Sequence, residues 1–258
     1  VTQLLIECSF AGIDTNTDDI SNFSSFFVFI MLVDLLASMA ASLLLANSGS
    51  EVDVQSSRLR QHAPPPAVLV EAYTESLCID CKNFVNDHLI PTYKKLGPQA
   101  IQLNIVPFGN AKINDSDQTV TCQHGNAECD ANAWQQCAFH AYAEEPETNL
   151  AFLGCLEDAL PMGSRDEPYD PSVFRTCAQE ASMDFAKIEK CHSNPLYSWM
   201  LQSDAANKTP QHDHVPWVMI NGVYMDEEKY DLQDVVCREY IANGGSNPAC
   251  SSSKSVSN

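Results

Sequence analysis

Cys78 and Cys81 are two residues apart and stand between a strand-like run and a helix-like run. Val68-Leu69-Val70-Glu71-Ala72-Tyr73 is short and apolar, the mark of a buried strand. After the cysteines, apolar residues at 84, 85, 89, 93 and 96 recur at helical spacing until Gly97-Pro98 stops them. Pro91, inside this stretch, is expected to kink the helix. Ile101-Gln102-Leu103-Asn104-Ile105-Val106-Pro107 then alternates as a second strand. A strand, a Cys-x-x-Cys at a helix start and a second strand make the opening βαβ unit of a thioredoxin-like α/β domain.

Thiol–disulfide exchange needs such a placement. The attacking species is the thiolate, whereas a free cysteine, with a pKa of about 8.5, is mostly protonated at neutral or acid pH. Unpaired N–H groups and the dipole of a helix start favour the anion at Cys78. Two intervening residues bring Cys81 round to face it, so Cys78 is assigned the attack and Cys81 the resolution of the mixed disulfide. Asp80 is expected to oppose thiolate formation and Lys82 to offset Asp80 in part.

The C-terminal part reads as the other half of the same fold. His214-Val215-Pro216-Trp217-Val218-Met219-Ile220 is an apolar strand followed by Asn221-Gly222 and Val223-Tyr224-Met225, a hairpin with a type I′ turn. Residues 231–241 form an amphipathic closing helix that ends before Gly244-Gly245. Pro216 suits the cis-proline that thioredoxin-like domains set against their cysteine pair. Between the halves a long helical insertion, about residues 128–207, is expected beside the active site. In it, residues 149–160 are apolar at helical spacing, and Asp170-Pro171 opens a helix that runs towards Cys191.

The chain holds eleven cysteines, ten of them after residue 77. Such a count belongs to an oxidising compartment. With the 78/81 pair set aside, Cys122, Cys129, Cys137, Cys155, Cys177, Cys191, Cys237 and Cys250 are compatible with four structural disulfides whose pairing the sequence leaves open. Residues 26–46 are nearly all apolar, with Asp34 the one charge, and read as a signal peptide or a signal anchor. Asp34 would cost an anchor about 2.5–3.5 kcal/mol. The expected organisation is an N-terminal extension over 1–50, a Pro-rich linker over 51–66 ending in Pro64–Pro66, the domain over 67–250 and a disordered tail over 251–258. Membrane attachment would follow only if the apolar segment stays uncleaved. Asn114 and Asn207 stand in Asn-x-Ser/Thr sequons. A net charge of −20 disfavours nucleic acid as a partner.

Residues 122–137 read CQHGNAECDANAWQQC. This resembles the signature of the gamma-interferon-inducible lysosomal thiol reductase family. The similarity continues through ESLCIDCKNFVNDHLIPTY at 75–93, IVPFGNA at 105–111 and HVPWVMING at 214–222, and spans roughly residues 67–250 in order. The resemblance implies a glycosylated thiol reductase that acts on protein disulfides in an acidic endolysosomal or vacuolar compartment or outside the cell. A small-thiol or protein reductant would supply its electrons. It places the redox pair on Cys78 and Cys81, and assigns a structural role to the signature residues Cys122, Gln123, His124, Gly125, Glu128, Cys129, Asn132 and Cys137. A proton shuttle at His124 is the minority reading. No cofactor or metal is expected. Two other classes compete: a redox-inert secreted binding module stapled by crosslinks, and a zinc protein using Cys78 and Cys81 with Cys122, Cys129 or His124.

Overall fold

The computed structural model describes residues 65–163 and 169–252. The expectations for the N-terminal extension, most of the linker and most of the tail lie outside those residues. Strand β1 (Val68–Thr74) pairs in parallel with β2 (Ile101–Pro107), Val68 opposite Ile101 and Thr74 opposite Pro107. Between them residues 79–96 are helical but change pitch. They form α1 (Ile79–Asn83), a π-helical stretch (Phe84–Leu89) and α2 (Ile90–Leu96). Where a kink at Pro91 is expected, the helix has a widened turn, in which the Ile90 N–H reaches five residues back to the Val85 carbonyl. Widening the turn makes room for a ring that would otherwise meet the carbonyl four residues before it. The five apolar positions that announced the helix, Phe84, Val85, Leu89, Tyr93 and Leu96, are all buried.

A small antiparallel pair, β3 (Lys112–Asn114) and β4 (Thr119–Thr121), follows β2. It is not among the sequence expectations, because three-residue, mostly exposed strands carry no apolar alternation. Five helices come next: α3 (Asn126–Ala141), α4 (Pro146–Ala159), α5 (Ser172–Glu180), α6 (Phe185–His192) and α7 (Pro195–Lys208). The stretch from Asp170 to Cys191 is therefore two helices and not one. Ser182, at φ +61°, turns the chain, and the Asp184 side chain restarts the helix by accepting from the Ala186 N–H.

Strands β5 (Trp217–Ile220) and β6 (Val223–Met225) complete a sheet of order β2-β1-β5-β6. Asn221 and Gly222 both have positive φ, as a type I′ turn requires. Helix α8 (Leu232–Ala242) closes the fold, its N-terminus capped by Asp231. One core packs Val68, Val70 and Val218 of the sheet against Phe84, Leu89 and Val236. A second lies within the helical insertion, around Trp134, Phe152, Phe174 and Ile188. The eight cysteines outside the close pair form four disulfides, Cys122–Cys129, Cys137–Cys191, Cys155–Cys177 and Cys237–Cys250. Cys137–Cys191 and Cys155–Cys177 tie α3 to α6 and α4 to α5 across 54 and 22 residues. Closures of that length remove about 3–4 kcal/mol of unfolded-state entropy each in the chain-entropy account.

Candidate redox site

Among the described residues, Cys78 and Cys81 are the cysteines outside disulfides. Cys78 is the N-cap of α1, and its Sγ accepts the Cys81 backbone N–H at 3.3 Å. It keeps 7% of its surface exposed, whereas Cys81, one turn in, has none. The Cys78 thiol titrates below its ordinary value. The Cys81 thiol donating to it is the largest cause; burial opposes, the backbone N–H groups of Cys81 and Asp80 reinforce, and the Glu75 carboxyl opposes. Burial pushes Cys81 well above the usual thiol range, and the facing Cys78 sulfur adds to it. One expectation is corrected here. Asp80 is exposed and acts on Cys78 through its backbone N–H, while the carboxyl that opposes the thiolate is that of Glu75.

The loop ahead of Cys78 is held by the insertion. Asn132 on α3 accepts the Ser76 backbone N–H at 2.8 Å, and Gln135 donates to the Ser76 hydroxyl at 2.9 Å. Leu77 adopts φ +65° and is fully buried in the insertion's core, and its carbonyl accepts the Gly163 N–H at 2.6 Å. A left-handed conformation costs a leucine about 1–2 kcal/mol, while full burial of its side chain stabilises by about 1.5–3 kcal/mol. Burial wins, and the chain enters α1 at a defined angle. Val215 packs in one buried cluster with both cysteines, and the Val215–Pro216 peptide bond is cis.

Two buried acids near the pair carry no hydrophobic periodicity and were missed by the sequence reading. Glu75 sits immediately before the loop, its Oε2 accepting the Asn110 N–H at 2.8 Å. Gly109 makes room for it, since a Cβ there would lie 2.4 Å from that oxygen. Burial, and then the charge of Glu128, push the Glu75 carboxyl up to about 7. Glu157 of α4 is fully buried, and its Oε2 has no hydrogen-bond partner. Burial, reinforced by the charge of Cys78 and opposed by Lys82, pushes it up to about 8.

The signature segment lies alongside this loop. Cys122–Cys129 closes a short loop, and Gly125, at φ +82°, caps α3. His124 meets Glu128 at 2.8 Å through Nδ1 and Glu75 at 3.5 Å, while Gln123 accepts from the Asn110 side chain. The signature thus reaches the loop ahead of Cys78 through Asn132 and through the Glu75–His124 contact, and Cys137 crosslinks into the insertion's core. Cys122 and Cys129 are crosslinked to each other, so neither offers a thiolate to a metal beside Cys78 and Cys81. Asn114 and Asn207 are both exposed.

The architecture is shared with known proteins. The structure superposes on the reduced DsbA of Mycobacterium tuberculosis with a TM-score of 0.54 at 20% identity, over 74% of this chain and 89% of that one. It superposes on the reduced disulfide oxidoreductase DsbG of the same organism at 0.55 and 20%, over 74% and 85%. The fold is therefore the thioredoxin-like fold of the thiol–disulfide oxidoreductases, here with a helical insertion and four disulfide staples. The family model described as gamma interferon inducible lysosomal thiol reductase matches residues 69–181. A gamma-interferon-responsive lysosomal thiol protein of Arabidopsis thaliana is 30% identical over 196 residues, 74% of this chain and 78% of the relative. A gamma-interferon-inducible lysosomal thiol reductase of Mus musculus is 30% identical over 185 residues, 69% of each chain. This chain belongs to the gamma-interferon-inducible lysosomal thiol reductase family, and it is an oxidoreductase of the thiol reductase class.

Proposed function

We propose that this protein reduces disulfide bonds of protein substrates through Cys78 and Cys81, in an acidic endolysosomal or vacuolar compartment or outside the cell. The observation that carries this reading is the Cys78 sulfur at the head of α1, accepting the Cys81 N–H, with both thiols free while eight other cysteines are crosslinked. The Cys78 thiolate attacks one substrate sulfur, and the substrate's other sulfur leaves and takes a proton. Cys81 then loses its proton and attacks the Cys78 sulfur, releasing the second substrate thiol. The enzyme ends with a Cys78–Cys81 disulfide that a small thiol or a protein dithiol reduces again. Val215 packs against the pair, and in this reading the cis Pro216 that follows it faces the substrate.

Acid conditions suit this arrangement. Below pH about 8 the buried Glu157 is held neutral, so it sets no negative charge against the Cys78 thiolate. The four crosslinks and the exposed sequons at Asn114 and Asn207 support an oxidising, glycosylating route to that compartment. Among the described residues no helix is long and apolar enough to cross a membrane.

The test is a trap. With a disulfide-bonded protein substrate, Cys81→Ser accumulates a dithiothreitol-sensitive covalent adduct on non-reducing gels, and Cys78→Ser forms none and loses reduction. An adduct on Cys78→Ser reverses the two roles. Retention of wild-type activity by both variants moves the chemistry elsewhere and leaves a crosslinked binding module.

A further inference from the structure

Glu75, His124 and Glu128 are brought together from two segments: Glu75 follows β1, while His124 and Glu128, four residues apart, lie just before α3 and in its first turn. One ligating atom from each, a carboxylate oxygen of either glutamate and a ring nitrogen of the histidine, lies within 4.8 Å of the other two. The measured separations are 2.8 Å from His124 Nδ1 to Glu128 Oε2 and 3.5 Å from His124 Nδ1 to Glu75 Oε1. Ligand atoms around a tetrahedral zinc ion with bonds of 2.0–2.1 Å stand about 3.3 Å apart. The two distances from His124 Nδ1 bracket that value, one below it and one above.

A second observation is independent of the clustering. The Glu75 side chain is fully buried, yet its Oε1, the oxygen turned towards His124, accepts no hydrogen bond. A buried carboxylate oxygen without a partner is costly, and a buried acid is ordinarily matched by donors or a cation. Asn110 satisfies Oε2 and so fixes which oxygen faces the cluster. Oε1 of Glu75, like the buried Oε1 of Glu128, keeps a lone pair to be used.

The geometry points to a binding site for a divalent transition-metal ion held by Glu75, His124 and Glu128. Its two carboxylates and one imidazole fit zinc, with a fourth position open to water. His124 keeps 12% of its side chain exposed, which gives the ion a way in. A bound ion would clamp the loop that precedes Cys78 to the start of α3, so the site bears on the redox pair through the loop and not through its thiols. The site is distinct from the zinc arrangement weighed from the sequence, since it uses no cysteine. It also stands whether or not Cys78 and Cys81 carry the reduction.

The experiment must first remove those thiols, because a free Cys-x-x-Cys binds zinc by itself. Equilibrium dialysis of the full chain carrying Cys78→Ser and Cys81→Ser against zinc sulfate at pH 7, read by elemental analysis, should give one zinc per chain. Adding His124→Ala or Glu75→Gln should weaken binding at least tenfold, with a circular dichroism spectrum unchanged from the parent. Binding should also fall between pH 7 and pH 5, as protons compete with the ion for its ligands. Cobalt added to the double-serine protein should give the visible absorption of a four- or five-coordinate ion without a sulfur charge-transfer band. This readout stands even if a cluster variant fails to fold. Absence of stoichiometric zinc, equal retention by a folded His124→Ala protein, or the spectrum of hydrated cobalt alone would each overturn the site.

Discussion

The Cys81 backbone N–H donates to the Cys78 sulfur at 3.3 Å, so the residue whose own thiol is fully buried helps stabilise the anion of the slightly less buried one. This relationship makes the two cysteines unequal before any substrate arrives. Burial raises Cys81, while the Cys81 thiol first, and then the backbone N–H groups of Cys81 and Asp80, lower Cys78. In the reduced protein iodoacetamide should therefore modify Cys78 at least about tenfold faster than Cys81, with an apparent pKa below that of an ordinary thiol. Peptide mapping after a timed pulse across pH 5–9 reads both quantities. Preferential labelling of Cys81 would contradict the assignment.

Glu157 gives the fold an unusual pH response. Its folded pKa of about 8 lies above the ordinary carboxyl value of 4.5, so its stabilising contribution is complete below pH about 4.5 and is lost as pH rises towards 8. Between pH 5 and 7 this one group should remove about 2–3 kcal/mol of stability. Glu157→Gln keeps the shape without the ionisation and should abolish that component. Urea midpoints of both proteins at pH 5 and 7 measure it, and identical pH slopes would refute it.

Asn132 holds the active-site loop through a single bond to the Ser76 N–H. Asn132→Ala leaves that buried donor without an acceptor, a loss of about 1–3 kcal/mol. Because Ser76 is two residues from Cys78, the initial rate of insulin reduction should fall together with the thermal midpoint. A variant as stable and as active as wild type would show that the loop needs no such anchor.

Gly109 combines φ +56° with a backbone that touches Glu75, the added Cβ falling 2.4 Å from its Oε2 and 2.5 Å from its Cβ. Gly109→Ala therefore meets backbone strain and overpacking together, costing about 2–4 kcal/mol. Chemical denaturation reads the loss. A change under about 0.5 kcal/mol, the range of neutral surface substitutions, would mean that Glu75 moves aside freely.

The order of strand, cysteine pair, helix and strand was legible because each element declares itself locally. Val68–Thr74 is mostly apolar, Asn221-Gly222 demands a type I′ turn, and Asp231 caps α8. The break between α5 and α6 was not legible. Phe174, Cys177, Ile188 and Cys191 keep a helical rhythm across it, and Ser182 carries no glycine or proline to mark the turn.

What the sequence determined by itself is the fold, the spacing that sets Cys81 one turn behind Cys78, and an even set of remaining cysteines. Local periodicity, capping and turn chemistry act over a few residues, and they need nothing from the rest of the chain. Only the tertiary structure decided which cysteines pair, that Glu75 rather than Asp80 opposes the thiolate, and that Glu157 is buried beside the pair. Those outcomes depend on distances between segments up to about eighty residues apart, and on the loss of water around them. Burial turns an ordinary glutamate into one that stays protonated near neutral pH, and no pattern of neighbours along the chain records it.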